Sequence, residues 1–213
     1  MLSEAMAKYR LSVVGVKGGV GKSTVSLIMA LRLASSSKRV LLIDRDIIGW
    51  VSYLAGVRSK GLLAKVVDGE EDYWNSVATL NFGEGKLTIL KLYGDGDRLY
   101  EDTEKIHSEP GLRTKFKEVY GSILSSDSFD YFIVDNLSGV SANSPLITHE
   151  LEAFYSWIQH VKNLRIYVTN YLPTRLSRRS STLWKWKAAS STRASPSLRG
   201  EPGAQQPRRP GER

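Results

Sequence analysis

Residues 13–24 read V-V-G-V-K-G-G-V-G-K-S-T. An apolar run leads into a glycine-rich turn and an apolar segment follows, which is the strand, loop and helix order of a phosphate-binding loop. Gly18, Gly19 and Gly21 let the backbone curl with its N–H groups toward an anion, because a side chain would block close approach. The sequence therefore predicts a nucleotide site at this loop.

Two side chains at the end of the loop suit the same chemistry. Lys22 can reach the outer phosphates, and the Ser23 hydroxyl is a ligand that Mg²⁺ accepts. The helix that begins here would direct the positive end of its dipole at the phosphates. The strict pattern G-x-x-x-x-G-K-[ST] is not met, since Val16 stands where the pattern has its first glycine.

This variant of the loop resembles the deviant phosphate loop of the ParA/MinD group of ATPases. That group carries an additional lysine at the start of the loop, and Lys17 matches it. The resemblance implies that the chain binds ATP and Mg²⁺. The nucleotide contacts it implies are Lys17, Gly18, Gly19, Val20, Gly21, Lys22, Ser23 and Thr24. A glycine-rich turn with incidental lysines is the alternative interpretation.

The resemblance gives Lys17 a catalytic role as well. In the ParA/MinD group the signature lysine reaches across a nucleotide-sandwiched dimer to the phosphates of the partner. A cation supplied in this way stabilises the charge that develops on the transferred phosphoryl group. The resemblance therefore implies a homodimer that forms when ATP binds, and a dimer that is the active species.

Carboxylates that follow apolar runs complete the predicted site. Residues 40–46, V-L-L-I-D-R-D, resemble an intermediate motif of the same group, which implies that Asp44 orients the attacking water. Asp46 either shares that role or contacts Mg²⁺ indirectly, through a group that binds the ion. Asp135 ends the apolar run 129–134 and resembles the second metal-binding motif of phosphate-loop ATPases, whose carboxylate holds Mg²⁺ directly or through water. An ordinary turn or helix cap is the alternative for Asp135.

Two stretches beside these carboxylates depart from the pattern of the group. Residues 47–50 read I-I-G-W where the group usually has proline and small polar residues. Residues 135–139 read D-N-L-S-G in place of the common Asp-x-Pro pattern. These departures leave the expectation of nucleotide binding intact but put the rate of hydrolysis in question.

Strands and helices alternate along the chain. Apolar runs predict strands at 9–16, 40–43, 86–93, 129–134 and 164–169. Helical spacing predicts helices at 21–36, 48–55, from 62 onward, at 112–124 and from Pro145 through Val161. This alternation predicts an α/β fold, a doubly wound and mostly parallel sheet with helices on both faces and ligands at the carboxyl ends of the strands.

Other polar groups receive no catalytic role. The acidic residues 68–72 are interpreted as solvated surface. The Asp95 and Asp97 pair is interpreted as a polar turn in preference to a metal site. His107, His149 and His160 are scattered along the sequence and are expected to be surface or helix residues.

Composition fits one intracellular domain. The chain has 213 residues, of which 41% are hydrophobic and 24% charged, enough for one sizeable core. It has no cysteine, so a disulfide framework and a thiolate metal site are excluded, and relatives that bind iron–sulfur clusters through cysteine are disfavoured. No secretory signal or membrane-spanning run is evident, and we expect a cytoplasmic location.

The last 40 residues differ in character from the rest. Residues 1–173 hold 20 Lys and Arg against 20 Asp and Glu, so the totals of 30 and 22 leave 10 against 2 for residues 174–213. We therefore predict a nucleotide-binding domain at 1–173 and a basic, Ser/Arg/Pro-rich, disordered tail at 174–213. The resemblance covers about residues 9–170, and we expect a family fold truncated at its C-terminal end.

Two functions are compatible with these features. The first is Mg²⁺-dependent ATP binding and hydrolysis by a ParA/MinD-like ATPase that dimerises with ATP, in DNA partitioning or cellular positioning. The tail, with Trp184 and Trp186 among its cations, could then contact nonspecific DNA; a membrane partner is less favoured because no terminal amphipathic helix is evident. The second is a nucleotide-binding or interaction protein without significant turnover.

Overall fold

One mixed sheet organises the part of the chain that the computed structural model describes, residues 8–141 and 143–169. Its strands are β1 (Lys8–Val14), β2 (Arg39–Asp44), β3 (Val77–Phe82), β4 (Gly85–Lys91), β5 (Tyr131–Asp135) and β6 (Val161–Tyr167). Their order across the sheet is β3-β4-β2-β5-β1-β6. All neighbouring strands run parallel except β3, which forms an antiparallel hairpin with β4. The predicted mostly parallel α/β sheet is confirmed.

Helices cover both faces of this sheet, as predicted. They are α1 (Lys22–Ala34), α2 (Trp50–Leu54), α3 (Leu62–Asp68), α4 (Arg98–Ser108), α5 (Pro110–Leu124) and α6 (Pro145–Trp157). Buried residues of α1 and α2 join one apolar cluster, and those of α3 to α6 join the other. None of these helices is long and apolar enough to cross a membrane.

The continuous apolar run of β2 follows from this layering. Val40 and Leu42 belong to the cluster on the α1 side, while Leu41 and Ile43 belong to the cluster on the opposite side. All four side chains are fully buried. Because a central parallel strand is covered on both faces, it needs apolar side chains at every position. Its polar terminal residue is therefore the one that reaches the ligand edge.

Three local features of the fold differ from what the sequence led us to expect. β3 and α4 had no counterpart among the predicted elements. The strand β3 is an edge strand with most of its side chains partly or fully exposed, and α4 is largely polar. The third difference concerns the last helix, which ends at Trp157, so that Val161 begins β6 and does not extend the buried stripe of α6.

The acidic stretch 68–72 is a set of ion pairs as well as a surface. Asp68 pairs with Lys60 at 2.6 Å and with Arg98 at 2.7 Å. Lys65, whose side chain is 2% exposed, pairs with Asp72 at 2.5 Å. These contacts fix α3 against α4 and the turn that follows α3. The acidic stretch therefore has a structural role, and no chemistry is assigned to it.

Candidate functional site

The glycine-rich loop connects β1 to α1 at the carboxyl edge of the sheet. Gly19 and Gly21 have φ angles of 71° and 92°, in the left-handed region that favours glycine. A Cβ atom built at Gly18, Gly19 or Gly21 would meet no atom within 4 Å, so the loop borders open space. The first turn of α1 has no side-chain cap, which leaves its N–H groups available for an anion.

Gly15 is a further glycine that the loop requires. A Cβ here would lie 2.9 Å from Val20 Cγ2, 3.0 Å from the Val168 carbonyl oxygen and 3.2 Å from Lys22 Cδ. The end of β1 thus packs directly under the loop and under the stem of its lysine. No motif singled out Gly15, because the crowding comes partly from Val168, which directly follows β6 and lies about 150 residues further along the chain.

The two loop lysines have different environments. Lys17 is exposed and makes no ion pair with any residue in the described ranges, whereas Lys22 is 8% exposed. The Lys22 ammonium donates a hydrogen bond to Ser138 Oγ, and Ser138 Oγ donates in turn to the Lys17 carbonyl oxygen at 3.2 Å. The loop after β5 is therefore tied to the glycine-rich loop. Ser138 was not among the predicted site residues.

The two predicted acidic sites come together at neighbouring strand ends. In the register of β2 and β5, Asp44 lies opposite Asp135, and both carboxylates are fully buried. Asp135 Oδ1 accepts a hydrogen bond from Ser26 Oγ at 3.2 Å, but Oδ2 has no partner within the described residues. Burial raises the pKa of Asp135 to about 6; the Ser23 and Ser26 hydroxyls oppose this shift, and the charge of Asp44 adds to it.

This environment fits a metal ion. A buried carboxylate oxygen without a hydrogen-bond partner is costly unless a cation compensates its charge. Asp135 lies near Ser23, and the hard oxygens of a carboxylate and a hydroxyl are the ligands that Mg²⁺ prefers. No group of three or more His, Asp and Glu side chains forms a metal cage in the described ranges. Mg²⁺ in nucleotide sites needs no such cage, because phosphates and water supply most ligands.

The Asp44 carboxylate accepts hydrogen bonds from residues that follow it closely in the chain. Its Oδ2 accepts from Ser52 N and Ser52 Oγ, both at 2.7 Å, and its Oδ1 accepts from Asp46 N at 3.1 Å. Burial raises the pKa of Asp44, and the Ser52 bonds oppose that shift. Asp46 is half-buried and its Oδ2 accepts from Ile48 N at 3.3 Å. Asp44 therefore holds residues 44–46 against α2.

Replacing Ser52 with alanine is expected to lower the free energy of unfolding by about 1–2 kcal/mol, because the buried Asp44 carboxylate loses one of its donors. Urea denaturation measures this change. Ser36→Ala is the matched control, since the Ser36 hydroxyl bonds the Arg32 carbonyl oxygen on an exposed surface. Equal effects of the two substitutions would contradict the structural role of Ser52.

Arg45, inside the same motif, points to the opposite face of the sheet. It is 1% exposed, and its guanidinium donates to Glu150 Oε2 at 3.2 Å and to the Leu146 carbonyl oxygen at 2.9 Å. Arg10 of β1 binds both oxygens of the same carboxylate, at 3.0 and 2.6 Å. Tyr120 also donates to it, at 2.5 Å. One fully buried glutamate of α6 thus holds together β1, the residue that follows β2, and α5.

The remaining polar candidates are accounted for by packing contacts. Asp95 accepts from Gly61 N at 2.7 Å and from the Lys91 ammonium at 3.0 Å, while Asp97 precedes α4, so the turn interpretation of this pair is confirmed. The histidines are less scattered than expected. His107 Nδ1 and His149 Nε2 are 3.1 Å apart where α4 meets α6. Burial and the positive charge of Arg113 lower the pKa of His149.

Comparison with known proteins agrees with this geometry. A family model described as ParA, NUBPL iron-transfer P-loop NTPase, matches residues 6–70. The antiactivator FleN of Pseudomonas aeruginosa is 31% identical over 131 residues, which are 61% of this chain and 43% of that protein. The chain is thus similar to ParA/MinD-type P-loop NTPases. The predicted resemblance is confirmed, and the segment 6–70 that the family model matches contains the glycine-rich loop and the residues that follow β2.

A further relative and a solved structure extend the comparison. The iron–sulfur cluster carrier protein of Pyrococcus horikoshii is 30% identical over 129 residues, which are 60% of this chain and 43% of that protein. Cobyrinic acid a,c-diamide synthase from Mycobacterium smegmatis, solved with an ATP analogue and magnesium, has the same fold. Its TM-score is 0.52 at 21% identity, with coverage of 76% of this chain and 59% of that one.

The chain spans less than half the length of these two curated relatives. Neither relative is named for DNA partitioning, so that expected role is not confirmed. Similarity to an iron–sulfur carrier was not expected from a sequence without cysteine. None of the 213 residues can supply a thiolate, so this chain itself offers no cysteine ligand for a cluster.

Proposed function

We propose that this chain binds ATP with Mg²⁺ at the glycine-rich loop and hydrolyses it. The observation that carries the proposal is the buried Asp135 carboxylate, which has one oxygen without a partner and lies beside the first turn of α1. The open space in front of Gly18, Gly19 and Gly21 supports the same conclusion. General nucleotide hydrolysis is the activity typical of P-loop NTPases.

Each residue of the site has a task in this proposal. Backbone N–H groups of the loop bind phosphate oxygens, and Lys22 neutralises the outer phosphates. Ser23 and Asp135 hold Mg²⁺, which when bound neutralises charge that develops on the phosphates. Asp44 and Asp46 orient the attacking water, with Asp44 held in place by Ser52.

The proposal includes a homodimer that forms when ATP binds. Lys17 is exposed, and it could therefore reach a second molecule. Apolar side chains at the same edge of the sheet are also exposed, Val16 by 83%, Ile48 by 73% and Trp50 by 42%. Contact with a second copy would remove this apolar surface from water.

Replacing Lys17 with alanine is expected to reduce phosphate release from ATP by about 10³-fold or more, because the partner molecule no longer receives a cation at its phosphates. Nucleotide binding by the monomer should change little. Phosphate release and sedimentation velocity with and without ATP measure the two effects. Lys105→Ala, on the exposed surface of α4, is the control. A wild-type monomer that hydrolyses ATP at the same rate as its Lys17→Ala variant would contradict the dimer proposal.

A second candidate function is nucleotide binding without significant turnover. The hydrogen bonds that Asp44 already accepts from Ser52 and Asp46 favour this candidate, because they occupy most of its acceptor capacity. ATP binding without phosphate release in the wild-type chain would select it.

The cellular role is also a proposal. DNA partitioning or positioning follows from the ParA/MinD resemblance, whereas the names of the relatives indicate control of another factor's activity or iron–sulfur cluster delivery. We propose the division into a nucleotide-binding domain at 1–173 and a basic region at 174–213, which could contact nonspecific DNA. Trp184, Trp186 and that whole region lie outside the described residues. Salt-dependent DNA binding that is lost when 174–213 are removed would support this role.

A further inference from the structure

The loop that follows β5 lies against the glycine-rich loop through polar contacts. Asn136 Nδ2 donates to the Val13 carbonyl oxygen at 2.9 Å. Ser138 Oγ donates to the Lys17 carbonyl oxygen at 3.2 Å and accepts a hydrogen bond from the Lys22 ammonium. A single hydroxyl from a different loop thus bridges the two lysines of the motif.

Neighbouring residues hold Ser138 in this place. Leu137 and Val140, on either side of it, pack against the apolar cluster on the α6 side of the sheet. Gly139 adopts a φ angle of 69°, which turns the chain between these two anchors. Because its neighbours are tied to the core, the position of the Ser138 hydroxyl is fixed by packing as well as by Lys22.

The Ser138 hydroxyl occupies a position on the Lys22 ammonium that an anionic oxygen would fill better. The Ser138 hydroxyl is a neutral acceptor, whereas a phosphate oxygen also brings a negative charge that attracts the ammonium. A bound phosphate oxygen would therefore replace the hydroxyl as the acceptor of the hydrogen bond that the Lys22 ammonium donates. A hydroxyl can donate as well as accept, so Ser138 could then donate to that phosphate.

We propose that Ser138 is a specificity-determining residue, whose hydroxyl donates to the terminal phosphate and so favours a nucleoside triphosphate over a diphosphate. The proposal rests on the proposed function of the site. Backbone N–H groups of such a loop cradle the inner phosphates, and its lysine reaches the outer ones. Ser138 lies outside that loop, and within the described residues its hydroxyl bonds the Lys22 ammonium and the Lys17 carbonyl oxygen. The outermost phosphate is therefore the group that it can distinguish.

Calorimetry with Mg²⁺, comparing the non-hydrolysable analogue AMP-PNP with ADP, tests the proposal. Ser138→Ala should weaken AMP-PNP binding by about ten- to a hundredfold, the range for a lost hydrogen bond to a charged group, and ADP binding by less than about threefold. Ser138→Thr retains the hydroxyl and should retain the selectivity. Ser141→Ala is the matched control, because the exposed Ser141 hydroxyl in the same loop accepts a hydrogen bond from Asn143 N at 3.3 Å and none is recorded to Lys17 or Lys22 among the described residues.

Three results would overturn the role of Ser138. Equal losses for AMP-PNP and ADP would show that the hydroxyl does not distinguish the terminal phosphate. Tighter binding of both nucleotides by Ser138→Ala would show that the hydroxyl only competes with phosphate for Lys22. Unchanged binding of both would remove any role, while leaving the proposed function intact. If the wild-type chain binds neither nucleotide, the proposed function fails and the Ser138 role fails with it.

Discussion

Replacing Glu150 with glutamine is expected to lower the free energy of unfolding by about 3–5 kcal/mol, the usual cost of breaking a buried ion pair by removing one partner. Arg10 and Arg45 both direct their guanidinium groups at this carboxylate and are 2% and 1% exposed. Glutamine keeps the size of the side chain but leaves two buried cations without an anion. Urea denaturation at neutral pH measures the loss.

Glu152→Gln, two residues along the same helix, is the matched control. Glu152 pairs with Lys117 at the surface, where its side chain is 52% exposed. Removal of such a pair changes stability by about 1 kcal/mol or less. Similar results for the two glutamates would contradict the account of the buried network.

The Glu150 network should also make the free energy of unfolding fall in acid. Burial opposes ionisation, yet Arg10 and Arg45 hold the pKa of Glu150 below its ordinary value. A carboxyl whose pKa is lower in the folded state contributes stability above its unfolded pKa, and that contribution is lost as the pH falls through the folded pKa. As the pH falls below about 4.5, the ordinary pKa of a glutamate, the wild-type chain should therefore progressively lose its stability advantage over Glu150→Gln.

Replacing Asp135 with asparagine is expected to stabilise the nucleotide-free chain by about 1–3 kcal/mol at pH 7.5 and to weaken Mg²⁺–ATP binding by about tenfold or more. The gain in stability arises because burial raises the pKa of the Asp135 carboxyl from 3.8 to about 6, so its ionised form is unfavourable in the empty site. The loss of binding arises because an amide is a weaker ligand for Mg²⁺. Thermal unfolding and calorimetry measure the two effects.

The destabilising effect of the Asp135 carboxylate depends on pH. A carboxyl whose pKa is raised on folding takes up a proton between about pH 4 and 6 that the unfolded chain does not hold. The destabilisation caused by the buried Asp135 charge is therefore absent below about pH 4 and fully present above about pH 6. The stability difference between Asp135→Asn and wild type should shrink as the pH falls from 7.5 to 4.5. Asp97→Asn, at an exposed position before α4, is the control, and a nucleotide-free Asp135→Asn chain less stable than wild type at pH 7.5 would contradict the account.

The features that the sequence predicted correctly are those that short stretches determine. The glycine-rich loop needs particular residues at adjacent positions, and β2 and β5 need continuous apolar runs because both of their faces are covered. Asp44 and Asp135 could be placed at one edge of the sheet because parallel strands end on the same side. Such local patterns can be recognised in the sequence without knowing which residues contact them in the fold.

The features that were missed depend on residues far apart in the chain. Arg10 and Glu150 are separated by 140 positions, and Lys22 and Ser138 by 116, so no spacing rule connects them. The strand β3 lies at the edge of the sheet, where it pairs with β4, and it contains both apolar and polar side chains. The helix α4 buries only a narrow stripe that includes Leu99 and Ile106. Neither gives the strong periodic signal of a central element.

Calorimetric titration of ATP into the wild-type chain and into Lys22→Ala, each with Mg²⁺, tests the central claim most directly. Lys22 is the cation that the folded chain holds at the mouth of the glycine-rich loop, against Ser138. We predict that the wild-type chain binds ATP and that Lys22→Ala loses this binding while it keeps its fold by circular dichroism. ATP binding of equal strength in both proteins, or in neither, would contradict a nucleotide site at this loop.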